Sequence, residues 1–307
     1  TFPFFGPMRN PEIVPRQPPI AGPIAGIEGP WPLVMGIVNV TPDSFHNGGQ
    51  FNDGSRRLDP DAAIAHGLAM AAAGAAILDV GGESTRPGAG PVSETEEAAR
   101  IIPVIEALAK AGHVVSVDTR KAAVMVRAVK AGARMINDVT ALDHDPESLA
   151  VAAGLDVPIV LMHSRGTPGD MQTKTDYGDV VADVIGVLQA RIDACVRAGI
   201  DRDRLLVDPG IGFAKTALQS AALLGDLARF HALECPLLVG ASRKSFIGAL
   251  TNTPRSVDRL PGSLAAALWA GQQGAAIVRV HDVGETVQAL AIYRALCYKE
   301  ATNELTE

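Results

Sequence analysis

The sequence predicts one closed barrel of eight parallel strands alternating with helices, a (β/α)8 TIM barrel, preceded by an irregular arm. Eight short apolar runs occur in order between Leu33 and Val280, and continuous apolarity, without in-out alternation, suits strands covered on both faces. Longer stretches with helix signals separate the runs, the pattern of repeated β-α units. Polar residues follow nearly every run, and no G-x-G-x-x-G follows the first, which disfavours an open doubly wound sheet with a single switch point. The units fill Leu33 to Cys297, close to the roughly 250 residues of such barrels.

Residues 1–32 are rich in Pro and Gly, with Pro15, Pro18, Pro19, Pro23, Pro30 and Pro32 and no helical or strand period. They are expected to lie outside the fold, with the barrel domain over 33–307. The expected strands are Leu33 to Val38, Ala76 to Val80, Val114 to Val117, Met135 to Ile136, Ile159 to Met162, Leu205 to Val207, Leu237 to Val239 and Ile277 to Val280. Asp59-Pro60 reads as an N-cap with Pro in the first helical position, and Ser93-x-x-Glu96 as a capping box. Ile101, Val104, Ile105 and Leu108 continue at helical spacing, with Pro103 expected to kink that helix.

With 307 residues, 47% of them hydrophobic, the chain can bury a large core. Its 27 Lys and Arg against 34 Asp and Glu give a net charge of -7 without any basic run, which argues against a nucleic-acid partner. Cys195, Cys235 and Cys297 are odd in number and far apart, so neither a disulfide framework nor a CxxC metal site is implied, and a reducing cytoplasm fits. No stretch approaches the roughly 18 consecutive apolar residues of a spanning helix, so no membrane partner is expected.

The chemistry should lie on the rim formed by the residues after the strands. Asn39-Val40-Thr41-Pro42-Asp43-Ser44-Phe45 with Gly48-Gly49, and Gly81-Gly82-Glu83-Ser84-Thr85-Arg86-Pro87-Gly88, are long polar Gly-rich loops. Each reads as a lid or clamp, or as ordinary turn chemistry. Asp118, Asn137 and Asp208 each close an apolar run. One such residue is commonly a capped strand end; three on one rim offer acceptors and a donor suited to an amino-substituted, amide-containing heterocycle. Ser242-Arg243-Lys244-Ser245 after the seventh run and Arg279-x-His281 at the eighth occupy the quarter where barrels commonly bind phosphate. His163 reads as a structural hydrogen-bonding group or a base. No set has structural-zinc spacing and there is no G-x-S-x-G elbow, so covalent acyl chemistry is disfavoured.

At these residues the chain resembles the dihydropteroate synthase family of folate biosynthesis. Met35 to Phe45 and Asp79 to Gly88 are similar to its first two signatures. Ser116-Val117-Asp118-Thr119, Ile136-Asn137-Asp138-Val139, Leu161-Met162-His163, Asp208-Pro209-Gly210-Ile211-Gly212-Phe213, Ser242-Arg243-Lys244-Ser245-Phe246 and Arg279-Val280-His281-Asp282 match in order over residues 33 to 298. The resemblance implies that para-aminobenzoate displaces pyrophosphate, by an SN1-like route, from 6-hydroxymethyl-7,8-dihydropterin diphosphate. Asp118, Asn137, Asp208, Lys244 and Arg279 would bind the pterin, with Asp118, Asp208 and Lys244 catalytic. Asn39, Arg86, Arg279 and His281 would bind the diphosphate, with Asn39 also a ligand of Mg2+. Thr85, Arg86, Pro87, Phe213 and Ser245 would hold the aminobenzoate, near the N-terminus of the helix after Lys244. Sulfonamide inhibition at that pocket and a homodimer are further implications.

The family usually shows Ser-Asp-Gly-Gly where this chain has His46-Asn47-Gly48-Gly49, so a loop carboxylate is replaced by a carboxamide. Ala241 also stands where Thr is common. A pterin-dependent methyltransferase would share the pterin contacts but needs no diphosphate site; a non-catalytic pterin-binding homologue is favoured only by Asn47. For a working synthase, Asn47→Asp should leave steady-state turnover equal or higher. A large loss would give Asn47 a role of its own.

Overall fold

Apolar runs that hide both faces form the inner wall of the molecule, and helices cover its outside. The computed structural model describes residues 18, 22–41, 59–85 and 88–297. Among them, eight parallel strands are ordered β6-β5-β4-β3-β2-β1-β8-β7. They are β1 Leu33–Asn39, β2 Ile77–Gly81, β3 Val115–Asp118, β4 Met135–Asp138, β5 Ile159–Met162, β6 Leu205–Asp208, β7 Leu238–Val239 and β8 Ile277–Val280. The ring closes between β6 and β7 through the parallel bridge Val207↔Leu237, where Val207 N–H donates to Pro236 O at 3.0 Å. The eight expected runs are the eight strands, and the barrel is the fold.

The outer layer is α1 Pro60–Ala72, α2 Glu94–Lys110, α3 Ala122–Lys130, α4 Ser148–Gly154, α5 Val180–Arg197, α6 Ala217–Gly225, α7 Ser245–Thr251, α8 Leu260–Gln272 and α9 Val283–Cys297. Asp59 caps α1 by accepting from Ala62 N–H at 3.0 Å, with Pro60 as the first helical residue. Ser93 accepts from Glu96 N–H at 3.2 Å, but Glu96 turns its carboxylate to Arg100 one turn on, so half of the expected capping box forms. The helix runs through Pro103 to Lys110. A reciprocal box not read in the sequence joins Thr216 and Gln219 at the start of α6.

Because alternate side chains of a strand face opposite sides, each strand feeds two cores. Val34, Val38, Leu78, Val80, Val115, Val117, Ile136, Ile159, Leu161, Leu205, Val207, Val239, Val278 and Val280 pack outward against the helices. Leu33, Met35, Ile77, Met135, Val160, Leu206, Leu238 and Ile277 pack together inside the ring. Two residues further along, the inward positions turn polar: Ile77 leads to Asp79, Met135 to Asn137, Leu206 to Asp208 and Ile277 to Arg279. The barrel interior is thus apolar at the N-terminal ends of the strands and charged above.

The segment before β1 departs from expectation. Ile24 and Ala25 are buried, at 4% and 7% exposure, against the interior cluster, and Ile24 and Ile27 exchange both backbone hydrogen bonds at 3.0 and 2.8 Å. Isoleucines spaced along an irregular Pro/Gly stretch give no strand or helix period, yet this short turn lies across the bottom of the barrel and helps keep water from its floor. Residues 1–17 and 19–21 lie outside the described residues. Ile24→Ala should destabilise the protein by about 2 kcal/mol, the lower end of large-to-small core changes, measured by urea unfolding. A change below about 0.5 kcal/mol, the scale of ordinary surface substitutions, would remove Ile24 from the packed core.

Candidate active site

A cavity of about 780 Å³ opens at the C-terminal ends of the strands and is lined by Asn39, Thr85, Asp118, Asn137, Asp208, Phe213, Lys244, Ser245, Arg279 and His281. The structure therefore gathers every described residue assigned from sequence. Arg86, Pro87 and the loop containing Asp43 and Asn47 lie outside the described residues.

The floor is built by register. Asp118 pairs with Gly81 on one side and Asn137 on the other, and Met162 pairs with Asp208, so inward side chains of β3, β4, β5 and β6 meet at similar depth. The residue after β7 is Gly240, where an added Cβ would lie 3.9 Å from both Asp208 Oδ2 and Arg279 Cβ. A larger side chain there would fill the space between the acid and the guanidinium.

Arg279 organises this floor. Its Nε donates to Asp79 Oδ2 at 2.6 Å and its Nη2 to Asp118 Oδ2 at 2.7 Å, while Asn137 Nδ2 donates to Asp79 Oδ2 at 3.0 Å. Asp79 is fully buried, so it acts through Arg279 and Asn137, not on a ligand. Asp79 was not among the sequence candidates, although it sits inside a quoted motif. Its signal was position: it follows the inward Ile77 by two residues.

Desolvation sets the charge states. Burial lifts Asp118 to about 7, opposed by Arg279 and reinforced by the Asp79 charge. Burial lifts Asp208 to about 6, against the Gly210 N–H bond at 2.7 Å and the charges of Lys244 and Arg279. Burial lowers Lys244 to about 8; Arg279 adds to this, and Asp208 and Asp118 oppose it. For Arg279, Asp79 and Asp118 outweigh burial and hold it above its ordinary value. The Lys244 ammonium lies 4.0 Å from the centre of the Phe213 ring, a cation-π contact.

The basic run after β7 divides by role. Arg243 takes a left-handed backbone (φ 57°), its Nε donates to Asp282 Oδ2 at 2.9 Å, and its Nη2 bonds Asp282 Oδ1. This corrects the sequence view of Ser242-Arg243-Lys244-Ser245 as one phosphate-binding group, because Asp282 already grips the Arg243 guanidinium and neutralises its charge. His281 is steered by Ser242, whose Oγ accepts from His281 N–H at 3.2 Å and lies 3.1 Å from His281 Nδ1. The hydroxyl thus meets both the backbone and the ring of His281 and fixes how the imidazole is presented to the cavity.

The loop carrying Thr85 is tied down by Glu83. Its carboxylate accepts from Arg120 Nη2 at 2.9 Å and Lys121 Nζ at 2.6 Å, and Lys121 also bonds the buried Glu97. Burial pushes Glu83 upward, but Arg120 and Lys121 outweigh it and hold the carboxyl below its ordinary value. Arg100 donates to Gly82 O at 2.7 Å from beneath. Met171 and Gln172, from the connection between β5 and α5, also reach the cavity; no sequence signal marked them.

Among the described residues no group of three or more His, Cys, Asp or Glu is arranged to hold a metal ion. Asn39, the last residue of β1, supplies one neutral oxygen at the cavity wall. That donor set suits a Mg2+ that keeps most of its waters and takes its other ligands from a bound diphosphate, and does not suit an ion caged by protein alone.

Comparison with known proteins bears on this geometry. The pterin binding enzyme family matches residues 35–281. Dihydropteroate synthase of Escherichia coli strain K12 is 49% identical over 265 residues, 86% of this chain and 91% of that protein. The structure of Xanthomonas albilineans dihydropteroate synthase with 4-aminobenzoic acid superposes with a TM-score of 0.80 at 50% identity, covering 87% of this chain and 93% of that one. The Yersinia pestis dihydropteroate synthase in a sulfonamide drug complex gives 0.80 at 48%, over 86% and 94%.

The two raised carboxyls set a pH dependence. Asp118 and Asp208 move from 3.8 up to about 7 and about 6 on folding, so the folded protein holds protons that the unfolded chain has released. Their stabilising contribution is complete below about pH 4 and lost as pH rises through 6 to 7. Asp79→Asn removes a like charge and leaves more of Arg279 to Asp118, so the Asp118 midpoint, followed by carboxyl carbon NMR, should fall. An unchanged or higher midpoint would show that the Asp79 charge does not reach it.

Proposed function

This chain belongs to the pterin binding enzyme family, and on that premise we propose that it acts as a dihydropteroate synthase, condensing 6-hydroxymethyl-7,8-dihydropterin diphosphate with para-aminobenzoate in folate biosynthesis. The observation that carries the reading is the convergence of Asp118, Asn137, Asp208, Lys244 and Arg279 on one desolvated floor at the strand ends. A transferase of this kind joins an aniline nitrogen to an electron-rich heterocyclic methylene, and the floor suits that task.

Asp118 and Asp208 accept from the ring N–H and amino groups of the pterin, Asn137 offers both a donor and an acceptor, and Lys244 donates to ring acceptors. Ionised, Asp79, Asp118 and Asp208 outnumber Arg279 and Lys244 by three to two, so the floor is net negative. As the diphosphate leaves, positive charge develops on the pterin methylene, and the Asp118 and Asp208 carboxylates are there to stabilise it. Stabilisation by groups already in place and already desolvated acts more strongly than in water. The aniline nitrogen is nucleophilic in its neutral form, so the protein needs to orient it and exclude water and does not need a strong base.

Asn39 and His281 face the diphosphate, with Arg86 assigned to the same end. The commitment of Arg279 Nε and Nη2 to carboxylates favours the pterin part of its assignment over the phosphate part. A Mg2+ bound through Asn39 and the phosphate oxygens would neutralise leaving-group charge. Thr85, Phe213 and Ser245 would form the aminobenzoate wall, to which the resemblance also assigns Arg86 and Pro87, and a sulfonamide such as the one bound by the Yersinia pestis enzyme would compete there. The three free cysteines support the cytoplasm as the compartment, and no helix among the described residues is long and apolar enough to cross a membrane. Ile292 and Leu296, both exposed on α9, offer apolar side chains that a partner copy could cover, which favours a homodimer.

Pyrophosphate release should require both substrates and Mg2+ together. Release that never occurs while the pterin still binds would leave a binding protein instead, and methyl transfer would favour the related methyltransferases. Lys244→Ala should lower kcat by about 10²–10³, the effect of deleting one preorganised electrostatic group. A change below about threefold, under 1 kcal/mol of barrier, would remove Lys244 from the reacting site.

A further inference from the structure

A second lysine lies buried beside the floor and takes no part in the reaction above. Lys215, between β6 and α6, is 3% exposed. Its Nζ lies 2.9 Å from His163 Nδ1, 3.0 Å from Gly210 O and 2.9 Å from Phe213 O. Three acceptors match the three N–H groups of an ammonium. His163 can accept only with its proton on Nε2, and burial, with the Lys215 and Arg165 charges, lowers His163 to about 3 and keeps the ring neutral. Burial also pulls Lys215 down to about 7, against the Asp208 charge. A cation kept in so dry a place is expensive.

The turn it holds keeps one internal backbone bond, Phe213 N–H to Gly210 O at 3.1 Å, and is otherwise strained. Gly210, Gly212 and Ala214 have φ of 67°, 80° and 50°, three left-handed residues within one short turn. Ala214 lacks the freedom of glycine at such an angle. At Gly210 an added Cβ would fall 1.9 Å from His163 O, so the turn is pressed against the end of β5. It delivers the Phe213 ring to the Lys244 ammonium. One lysine therefore grips the backbone of the residue whose ring the other lysine touches.

We propose that Lys215, seated on His163, is a positioning residue for the aminobenzoate wall: by bonding the Gly210 and Phe213 carbonyls it fixes the Phe213 ring between the pterin floor and the aminobenzoate. The inference rests on the synthase reading and on the placement of Phe213 in that wall. Lys215 touches no substrate, so its removal acts on one substrate through geometry.

The test is Lys215→Met, which keeps the length of the stem and removes all three donors. The KM for para-aminobenzoate should rise about tenfold, short of the roughly hundredfold effect of a full 1 Å misplacement. The kcat should stay within about threefold, and the Kd of the pterin diphosphate within about twofold. In a Phe213→Leu background the same substitution should add little, because the ring it positions is gone. An aminobenzoate KM within twofold of wild type, an equal loss for both substrates, or full additivity with Phe213→Leu would overturn the proposal. If Lys215→Met does not fold, Lys215→Gln, which retains two donors, is judged by the same criteria. Wild-type turnover is the control for the synthase reading; if that control fails, calorimetric binding of aminobenzoate to wild type and variant still decides the positioning role.

Discussion

Arg279 stands inside the barrel between Asp79 of β2 and Asp118 of β3, reaching from β8 across the inward face of β1. Each of these charges would be costly alone in that interior, and together they are tolerable because every pair is hydrogen-bonded at short range. The arrangement depends on the closed ring, since in an open sheet β8 and β3 would not face one another across a cavity. It also depends on what lies beneath: the apolar layer of Met35, Ile77, Met135, Leu206 and Ile277, with Ile24 and Ala25 across the bottom. That layer denies water to the lower side, so the floor is solvated only by its own partners and by whatever enters from above.

The architecture was legible because burial on both faces leaves an unmistakable mark, a short apolar run, and eight such runs alternate with helix signals. The same mark concealed Asp79. A strand read as continuously apolar loses its in-out parity, and Asp79 passes as one polar residue inside the run Ala76 to Val80 until the interior is seen to change from apolar to charged along alternate positions. Asp118, Asn137 and Asp208 were visible because each directly follows its apolar run. Lys215 was hidden for another reason: its partners are backbone carbonyls and a histidine from a different strand, and no spacing in the chain encodes those. Ile24 was hidden because a plug needs only apolar atoms in the right place and no periodic structure.

The basic residues near the cavity show how far composition can mislead about charge. Arg243, Lys244, Lys215 and Arg279 are close together, yet each meets a different environment. Asp282 grips Arg243, two carboxylates hold Arg279, neutral acceptors surround Lys215, and an aromatic face lies under Lys244. The two arginines with carboxylate partners are raised, while the two lysines are lowered to about 8 and about 7. Arginine suits the paired positions because its planar fork can meet carboxylates through several N–H groups and does not lose its proton. Lysine suits the other two, where a single tetrahedral ammonium must reach a ring or three acceptors.

This division bears on how one cavity can serve substrates of opposite demand. The diphosphate needs positive charge at the outer end, and the pterin cation that forms as it leaves needs negative charge at the floor. A cavity lined with unpaired cations would bind the diphosphate well and oppose the developing cation. Neutralising Arg243 and Arg279 within the protein removes that opposition. In the proposed reaction Asp118 and Asp208 would supply the negative charge at the floor, where burial makes each acid weaker than usual. Interactions that strengthen only when charge develops lower the barrier, whereas equal attraction for bound substrate would only tighten binding. On this view desolvation above the apolar layer raises the floor carboxyls, Arg279 holds Asp118 in place, and Asp282 keeps Arg243 from adding an unpaired cation to the rim.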